Sequence, residues 1–167
     1  EHKEISHISS ISRIDQNEYV WLDKFSIRNL ELFSSNGSID KHSFADVMDR
    51  TRTSMGGRLL KRWIAMPLLD VERIRRRQNV VESLLGDKDL AQELRREISE
   101  IGDLERISSR VAAGRVTPRE LVQLKTSLTA VETLKALLES TDVEDLHAIA
   151  DEIAPATEVR DRLAREI

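Results

Sequence analysis

The stretch TPRELVQLKTSLTAVETLKALLES, residues 117–140, decides the fold class. Thr117 stands where a helix cap is needed, Pro118 occupies the first helical position, and Glu120 is placed to reach back to the cap's own N–H. Behind this start signal, Leu121, Leu124, Leu128, Val131, Leu134 and Leu138 recur at steps of three and four. That is the seam a helix presents to one or two long partner helices. The spacing predicts a helix running to about Ser140, with a length on the order of 35 Å at ~1.5 Å per residue. The chain therefore carries a long strut, around which the other elements are to be placed.

Working outward toward the N-terminus, Asp103 caps a predicted helix through Leu104, Ile107 and Val111 that stops at Gly114, and Leu90, Leu94, Ile98 and Ile101 form another before Gly102. Asp70 caps Val71 to Leu85, whose predicted buried stripe is Val71, Ile74, Val80, Val81, Leu84 and Leu85, with Gly86 suited to the left-handed residue past the end. Met55 to Met66 reads as a helix through Met55, Leu59, Leu60, Trp63 and Ile64, stopped by Pro67, and Ser43 with Asp46 forms a capping box for a short helix Phe44 to Asp49. The polar run Ser34 to Ser43 is a predicted loop. Only Ile8 to Leu22 departs from the helical pattern: Ile8, Ile11, Ile14, Tyr19, Val20 and Trp21 around the break Asp15-Gln16-Asn17 predict one or two short strands. Toward the C-terminus, Val143 to Ile153 and the segment from Pro155 onward carry Leu146, Ile149, Ile153, Val159 and Leu163 on one face. The expected fold is mainly α: an elongated multi-helix bundle with one or two short β-strands near the N-terminus.

Composition agrees and removes several function classes. The 167 residues include 40% apolar and only 4% aromatic side chains, nine Gly and Pro together, and no Cys. Disulfides, thiolate nucleophiles and Cys-ligated metals are thereby excluded. The longest apolar stretches, Val20 to Leu22 and Ile64 to Leu69 with Pro67 inside, fall far short of the ~20 residues of a membrane span. The first residues, EHKEIS, carry no initiator Met or apolar signal core, and the helical pattern still runs at Ile167, so the chain reads as a piece of a longer one.

Little in the sequence can do chemistry. Gly56-Gly57 is followed by Arg58 rather than the ending of a phosphate-cradling loop, and reads as a pair that lets another backbone approach a helix start closely. His2, His7, His42 and His147 have no metal-binding spacing, His147 reading as a surface or boundary residue. The paired carboxylates Asp103/Glu105 and Asp142/Glu144/Asp145 sit at helix starts, where they complement the macrodipole. Charge, by contrast, is polarised. Arg50, Arg52, Arg58, Lys61, Arg62, Arg73, Arg75, Arg76 and Arg77 stand against Asp70 and Glu72, a local net of +7 in a chain of net −4, leaving −11 for the remainder. This cluster can either pair with that acidic remainder or bind phosphates. Its one aromatic, Trp63, lies on the apolar stripe and is expected in the core.

Five blocks in order, LDKFSIRNLEL (22–32), TRTSMGGRLLKRWIAMPLLD (51–70), RQNVVESL (77–84), IGDLERI (101–107) and TPREL (117–121), resemble the central core, or lever, domain of MutS-type DNA mismatch repair proteins. The family's L-D-x-x-T-x-x-N-L-E-L appears with Asp23, Asn29, Leu30 and Glu31, Ser26 replacing the Thr but keeping its hydroxyl. Its T-x-T-x-M-G-x-R-L-L block appears as Thr51, Thr53, Met55, Gly56 and Arg58, its W-x-x-x-P-L as Trp63 and Pro67, and its D-L-E-R as Asp103, Glu105 and Arg106. The resemblance implies that these residues are structural, with no catalytic, cofactor or metal site in this segment.

It further implies residues 1–21 as the tail of a connector with short strands, and 22–167 as the first portion of the core, ending before a DNA-embracing clamp. Neither the Phe-x-Glu mismatch wedge nor a P-loop is present, so reading mismatches and hydrolysing ATP with Mg2+ would belong to the rest of a bacterial cytoplasmic, nucleoid-associated, homodimeric protein. This segment would be its transmission, not an enzyme, with connector, clamp and ATPase as partners and mismatched DNA reached through the parent. Arg52, Arg58, Arg62 and Arg76 are the candidates for DNA-backbone contact, and an apolar strip along the long helices is expected to invite dimerisation. The rival readings are a stand-alone helical scaffold and a helical DNA-binding module using the Arg50 to Arg77 region.

Overall fold

The capping signals act where the sequence puts them. In the computed structural model, which describes residues 17–34 and 43–167, the long helix occupies Pro118–Glu139. The Thr117 side chain accepts from the Glu120 N–H, and the Glu120 carboxylate accepts from the Thr117 N–H at 2.8 Å and from its hydroxyl. These bonds lower the Glu120 pKa, the backbone bond first. In chain order the helices among the described residues are α1 (Lys24–Asn29), α2 (Phe44–Met48), α3 (Ser54–Ala65), α4 (Val71–Gly86), α5 (Lys88–Glu100), α6 (Leu104–Ala112), α7 (Pro118–Glu139), α8 (Glu144–Glu152) and α9 (Thr157–Glu166). Ser43 caps α2 in a full capping box, and Thr53, Asp70, Asp87 and Asp103 cap α3 to α6 with their side chains.

Helix α7 is the axis of the structure, with α5, α6, α8 and α9 all packed on it and α4 laid against α5 and α8. Leu94, Leu138, Leu146 and Ala150 form the buried cluster at the meeting of α5, α7 and α8, with Val80 and Leu84 of α4 packed against it. Each buried leucine contributes on the order of 1.5–3 kcal/mol through the apolar surface it removes from water. The seam read from the sequence is too narrow, because the helix is wrapped on more than one side: Ser127 and Ala130 are buried as well as Leu128 and Leu138. Polar ties fix the neighbours. Lys135 donates to the carbonyls of Ala150 and Ile153 at 3.1 and 3.0 Å, so a cation on α7 closes the C-terminal end of α8. Arg160 of α9 pairs with Glu132, Arg110 of α6 with Glu120 at 2.9 Å, and Asn79 of α4 donates to Asp145 of α8 at 3.0 Å.

Several expectations are corrected. Gly86 remains inside α4, and the left-handed glycine is Gly114 after α6, at φ 64°. Helix α9 starts at Thr157 rather than Pro155, because Ala156 takes a left-handed conformation that no helix continues through. Val71, Val81 and Leu85 of the predicted α4 stripe are exposed, because α4 packs mainly on α5 and α8 and one side of its stripe is left over; Ile149 and Val159 are exposed as well. The short helix α1 carries no periodicity long enough to read and is not among the predicted elements.

Of the predicted N-terminal strands, residues 8–16 lie outside the described residues, as do residues 35–42 of the predicted loop. Tyr19 makes one antiparallel bridge to Leu68, with Val20 N–H donating to the Pro67 carbonyl at 2.8 Å and Leu69 N–H to that of Glu18 at 3.0 Å. No helix among the described residues is long and apolar enough to cross a membrane.

Candidate functional site

The motif residues fall in α1 and the turn after it, along α3, and at the α5–α6 corner. Asp23 caps α1, accepting from Ser26 N–H at 2.6 Å, so the Asp and the hydroxyl residue three positions on form one local unit. Asn29 ends α1 and Leu30 follows it exposed, while Glu31 takes a left-handed conformation at φ 49° that turns the chain sharply. The turn delivers the carbonyls of Glu31 and Leu32 to the N–H groups of Phe44 and Ala45 at 2.9 and 3.0 Å, binding the end of α1 to the start of α2.

Around the start of α3, Asp49 accepts from the Thr51 N–H and hydroxyl at 3.0 and 2.6 Å, and the Thr53 hydroxyl accepts from Gly56 N–H at 3.0 Å. A Cβ on Gly56 would lie 3.2 Å from the Thr53 hydroxyl oxygen and 3.3 Å from the Thr51 Cβ, and one on Gly57 would lie 3.3 Å from the Thr51 hydroxyl oxygen. The glycine pair thus makes room for threonine side chains folded over the helix start, rather than for another backbone. Met55 is half-buried at the same turn.

Arg58 is the long-range tie. Its guanidinium donates to both oxygens of Asp103 at 2.8 and 2.7 Å and through Nε to Glu105 at 3.0 Å, while Arg106 stands 3.4 Å from Asp103 on the other side. Asp103 also caps α6, accepting from the Arg106 N–H. The Arg58 hydrogen bonds, ahead of the other causes, hold the Asp103 carboxyl down to about 2 and raise the Arg58 guanidinium further above its ordinary value. Four of the motif residues named from the sequence thus form one bidentate-centred cluster joining α3 to α6. One residue earlier, Gly102 N–H donates to the Ser127 hydroxyl of α7 at 2.9 Å, and a Cβ there would meet the Gln123 Cγ at 3.1 Å. Ser127 is fully buried, and the sequence reading passes over it: a serine in a leucine-rich helix carries no local signal for a partner in a distant turn.

Trp63 is corrected from core to surface. It is 41% exposed and lies under the Arg77 guanidinium, 3.5 Å from ring centroid to Cζ, joining α3 to α4. Desolvation, with the neighbouring Arg73 charge second, lowers the Arg77 pKa. Pro67 ends α3 and lends its carbonyl to the bridge with Val20. The basic residues divide. Arg58 and Arg73 pair with Asp103/Glu105 and Glu18, and Arg75 with Glu72, whereas Arg52, Arg62 and Arg76 are exposed and make no ion pair with a described residue. His147 is half-buried, its ring nitrogen against the Thr141 carbonyl.

Exposed large apolar side chains cluster on the first half of the chain, including Trp21, Phe25, Leu30, Phe44, Val47 and Met48, while α7 exposes only Val122 among those described. The expected strip is absent from α7, which its own bundle covers; most of the exposed large apolar side chains lie on α4 and the segments before it. Among the described residues no group of three or more His, Asp or Glu side chains is arranged to hold a metal.

The family model of MutS domain III matches residues 26–167. A DNA mismatch repair protein MutS from Bacteroides fragilis is 44% identical over 167 residues, 100% of this chain. Those of Cytophaga hutchinsonii and Flavobacterium johnsoniae are 43% and 40% identical over 163 residues, 98% of the chain. The chain spans 19% of the length of each of these relatives. A helical segment matched over residues 26–167 by the model of one domain, and along its whole length by these longer proteins, belongs to the MutS family as its domain III.

Proposed function

We propose that this segment is the lever of a MutS-type mismatch repair protein, transmitting between an ATPase and a DNA clamp carried elsewhere in the full chain and having no activity of its own. The observation that carries the reading is α7: 22 residues of continuous helix, capped at its start and gripped by α5, α6, α8 and α9. A stiff element packed on several sides moves as a body, and rigid elements with two arrangements can carry coupling between distant sites. The motif cluster around Arg58 and Asp103 adds a second fixed joint, between α3 and the α5–α6 corner.

On this reading residues 1–21 are the connector's tail and 22–167 the first part of the core, and the partners are the connector, clamp and ATPase of the same protein. ATP with Mg2+ is bound in that ATPase, mismatched DNA is held by the reader and clamp, and the parent works as a homodimer on DNA in the bacterial cytoplasm. The apolar surface of α1 to α4 is where another domain, or a second copy of the isolated segment, packs.

The test is made in the full-length protein. Leu128→Pro removes a helix hydrogen bond and costs roughly 3 kcal/mol or more in α7, and Thr126→Gly/Thr133→Gly softens the exposed side of the same helix without touching its buried leucines. Mismatch affinity and ATP hydrolysis are measured separately, then ATP-driven release. The expected result is that both separate activities persist in the glycine variant while release loses its dependence on ATP. Release that keeps its full ATP dependence in both variants overturns the lever.

A further inference from the structure

The link between α2 and α3 holds a feature that the lever does not use. Arg50 and Arg52 flank Thr51, whose N–H and hydroxyl are tied to Asp49, so this short stretch is fixed at the front of α3. Helix α5, held in register by the buried Leu94, brings Arg95 to the same place. Arg50, Thr51, Arg52 and Arg95 line a pocket of about 340 Å3. All three arginines are exposed and none makes an ion pair with a described residue.

Three like charges gathered from two distant parts of the chain repel one another. The chain has 30 Asp and Glu residues, and where it joins α3 to α6 it sets two of them against Arg58. Here no carboxylate among the described residues lines the pocket, and Asp49, next to Arg50 in the chain, already accepts from Thr51. The start of α3 directs the positive end of its macrodipole toward the same region. The arrangement asks for an anion from outside. Its kind follows from the wall, which presents guanidinium forks and a hydroxyl residue but no Leu, Ile, Val, Met or aromatic side chain. An acidic protein segment would draw affinity from apolar contacts at the core of its interface, whereas a phosphate backbone is held by charge and forked hydrogen bonds alone.

We propose that Arg50, Arg52 and Arg95 form a phosphate site that grips the phosphodiester backbone of duplex DNA, an inference that rests on the mismatch-repair reading above. The site gives the segment its own hold on DNA outside the mismatch. It draws on Arg52 of the four contact candidates read from the sequence, Arg58 being committed to carboxylates.

The experiment uses the full-length protein and Arg50→Gln/Arg52→Gln/Arg95→Gln, with the single Arg52→Gln as a milder variant and thermal melting to establish that both fold like the wild type. Anisotropy with matched and mismatched duplexes is followed across a salt series. Loss of the site lessens the slope of log affinity against log salt by roughly 0.9 for each phosphate no longer neutralised. Affinity at low salt falls several-fold, equally for matched and mismatched duplexes, because backbone contacts carry no sequence information. Lysine at the three positions restores most of the slope.

An unchanged slope in the triple variant, with wild-type binding intact, overturns the site and leaves the lever standing. If that unchanged slope is accompanied by altered self-association, the arginines serve an acidic protein surface; if by heat of binding for inorganic phosphate in the wild type only, they serve a free phosphate group. Either result overturns the DNA assignment. Absence of duplex binding by the wild type overturns the mismatch-repair reading itself.

Discussion

Leu146→Ala tests where the core of this segment lies. Leu146 is 1% exposed and sits with Leu94, Leu138 and Ala150 at the meeting of α5, α7 and α8, beside half-buried neighbours from α4. The substitution removes three carbons, a transfer loss of about 2.4 kcal/mol at ~0.8 kcal/mol per methylene. A cavity term is added wherever the surroundings cannot collapse, and buried Leu→Ala changes span roughly 2.7–5.0 kcal/mol. Here collapse is resisted from two sides: Lys135 holds the end of α8 to α7, and Asn79 holds its start to α4. The cost should therefore fall near 4 kcal/mol, or about 8–16 °C of melting temperature in a chain of this size.

The control is Leu85→Ala. Leu85 belongs to the same class of predicted stripe residue but is 72% exposed, so its truncation should cost no more than about 0.5 kcal/mol. Thermal unfolding of both variants, followed by far-ultraviolet circular dichroism, compares them directly. A drop of less than about 3 °C for Leu146→Ala, or equal drops for the two leucines, would refute the assignment of the core to the α5–α7–α8 junction.

Ser127→Ala leaves the Gly102 N–H facing a buried methyl, which should cost about 1–3 kcal/mol and show as faster amide exchange confined to the α5–α6 corner. Thr117→Ala removes the cap of α7 and should cost about 1 kcal/mol, or ~2–4 °C in melting temperature. The Arg58–Asp103 cluster should give stability a pH dependence of definite sign: Asp103 is held near 2 when folded against an ordinary 3.8, so its contribution is complete above 3.8 and lost as pH falls through about 2. Arg58→Met should accordingly melt lower than the wild type at neutral pH, with the gap closing over that acid window; a gap that stays constant down to pH 2 would show that the ion pair is not its source.

The helices and their starts were legible because they are local. Ser43, Asp70, Asp103 and Thr117 each need only a partner within the next turn, which a single sequence displays. The family was legible for a related reason, since five blocks in fixed order are specific even when no single one is. The motif residues could be named but not explained: Arg58 and Asp103 lie 45 positions apart, and nothing local to either announces the other. What hydrophobic spacing could not supply was which part of an apolar stripe finds a partner. Leu85 and Leu146 look alike as periodic positions, yet one faces solvent and the other is sealed between helices.

The sequence by itself therefore determined the helical class, the caps, the absence of membrane-length apolar runs and the polarised charge, all of which depend on chemistry within a few residues. Tertiary structure alone decided that α7 is wrapped on more than one side, that Trp63 lies exposed under Arg77, that Ser127 receives the Gly102 N–H, and that Arg50 and Arg52 meet Arg95. Each of these joins groups far apart along the chain, and only the packing of helices on α7 brings them within reach of one another.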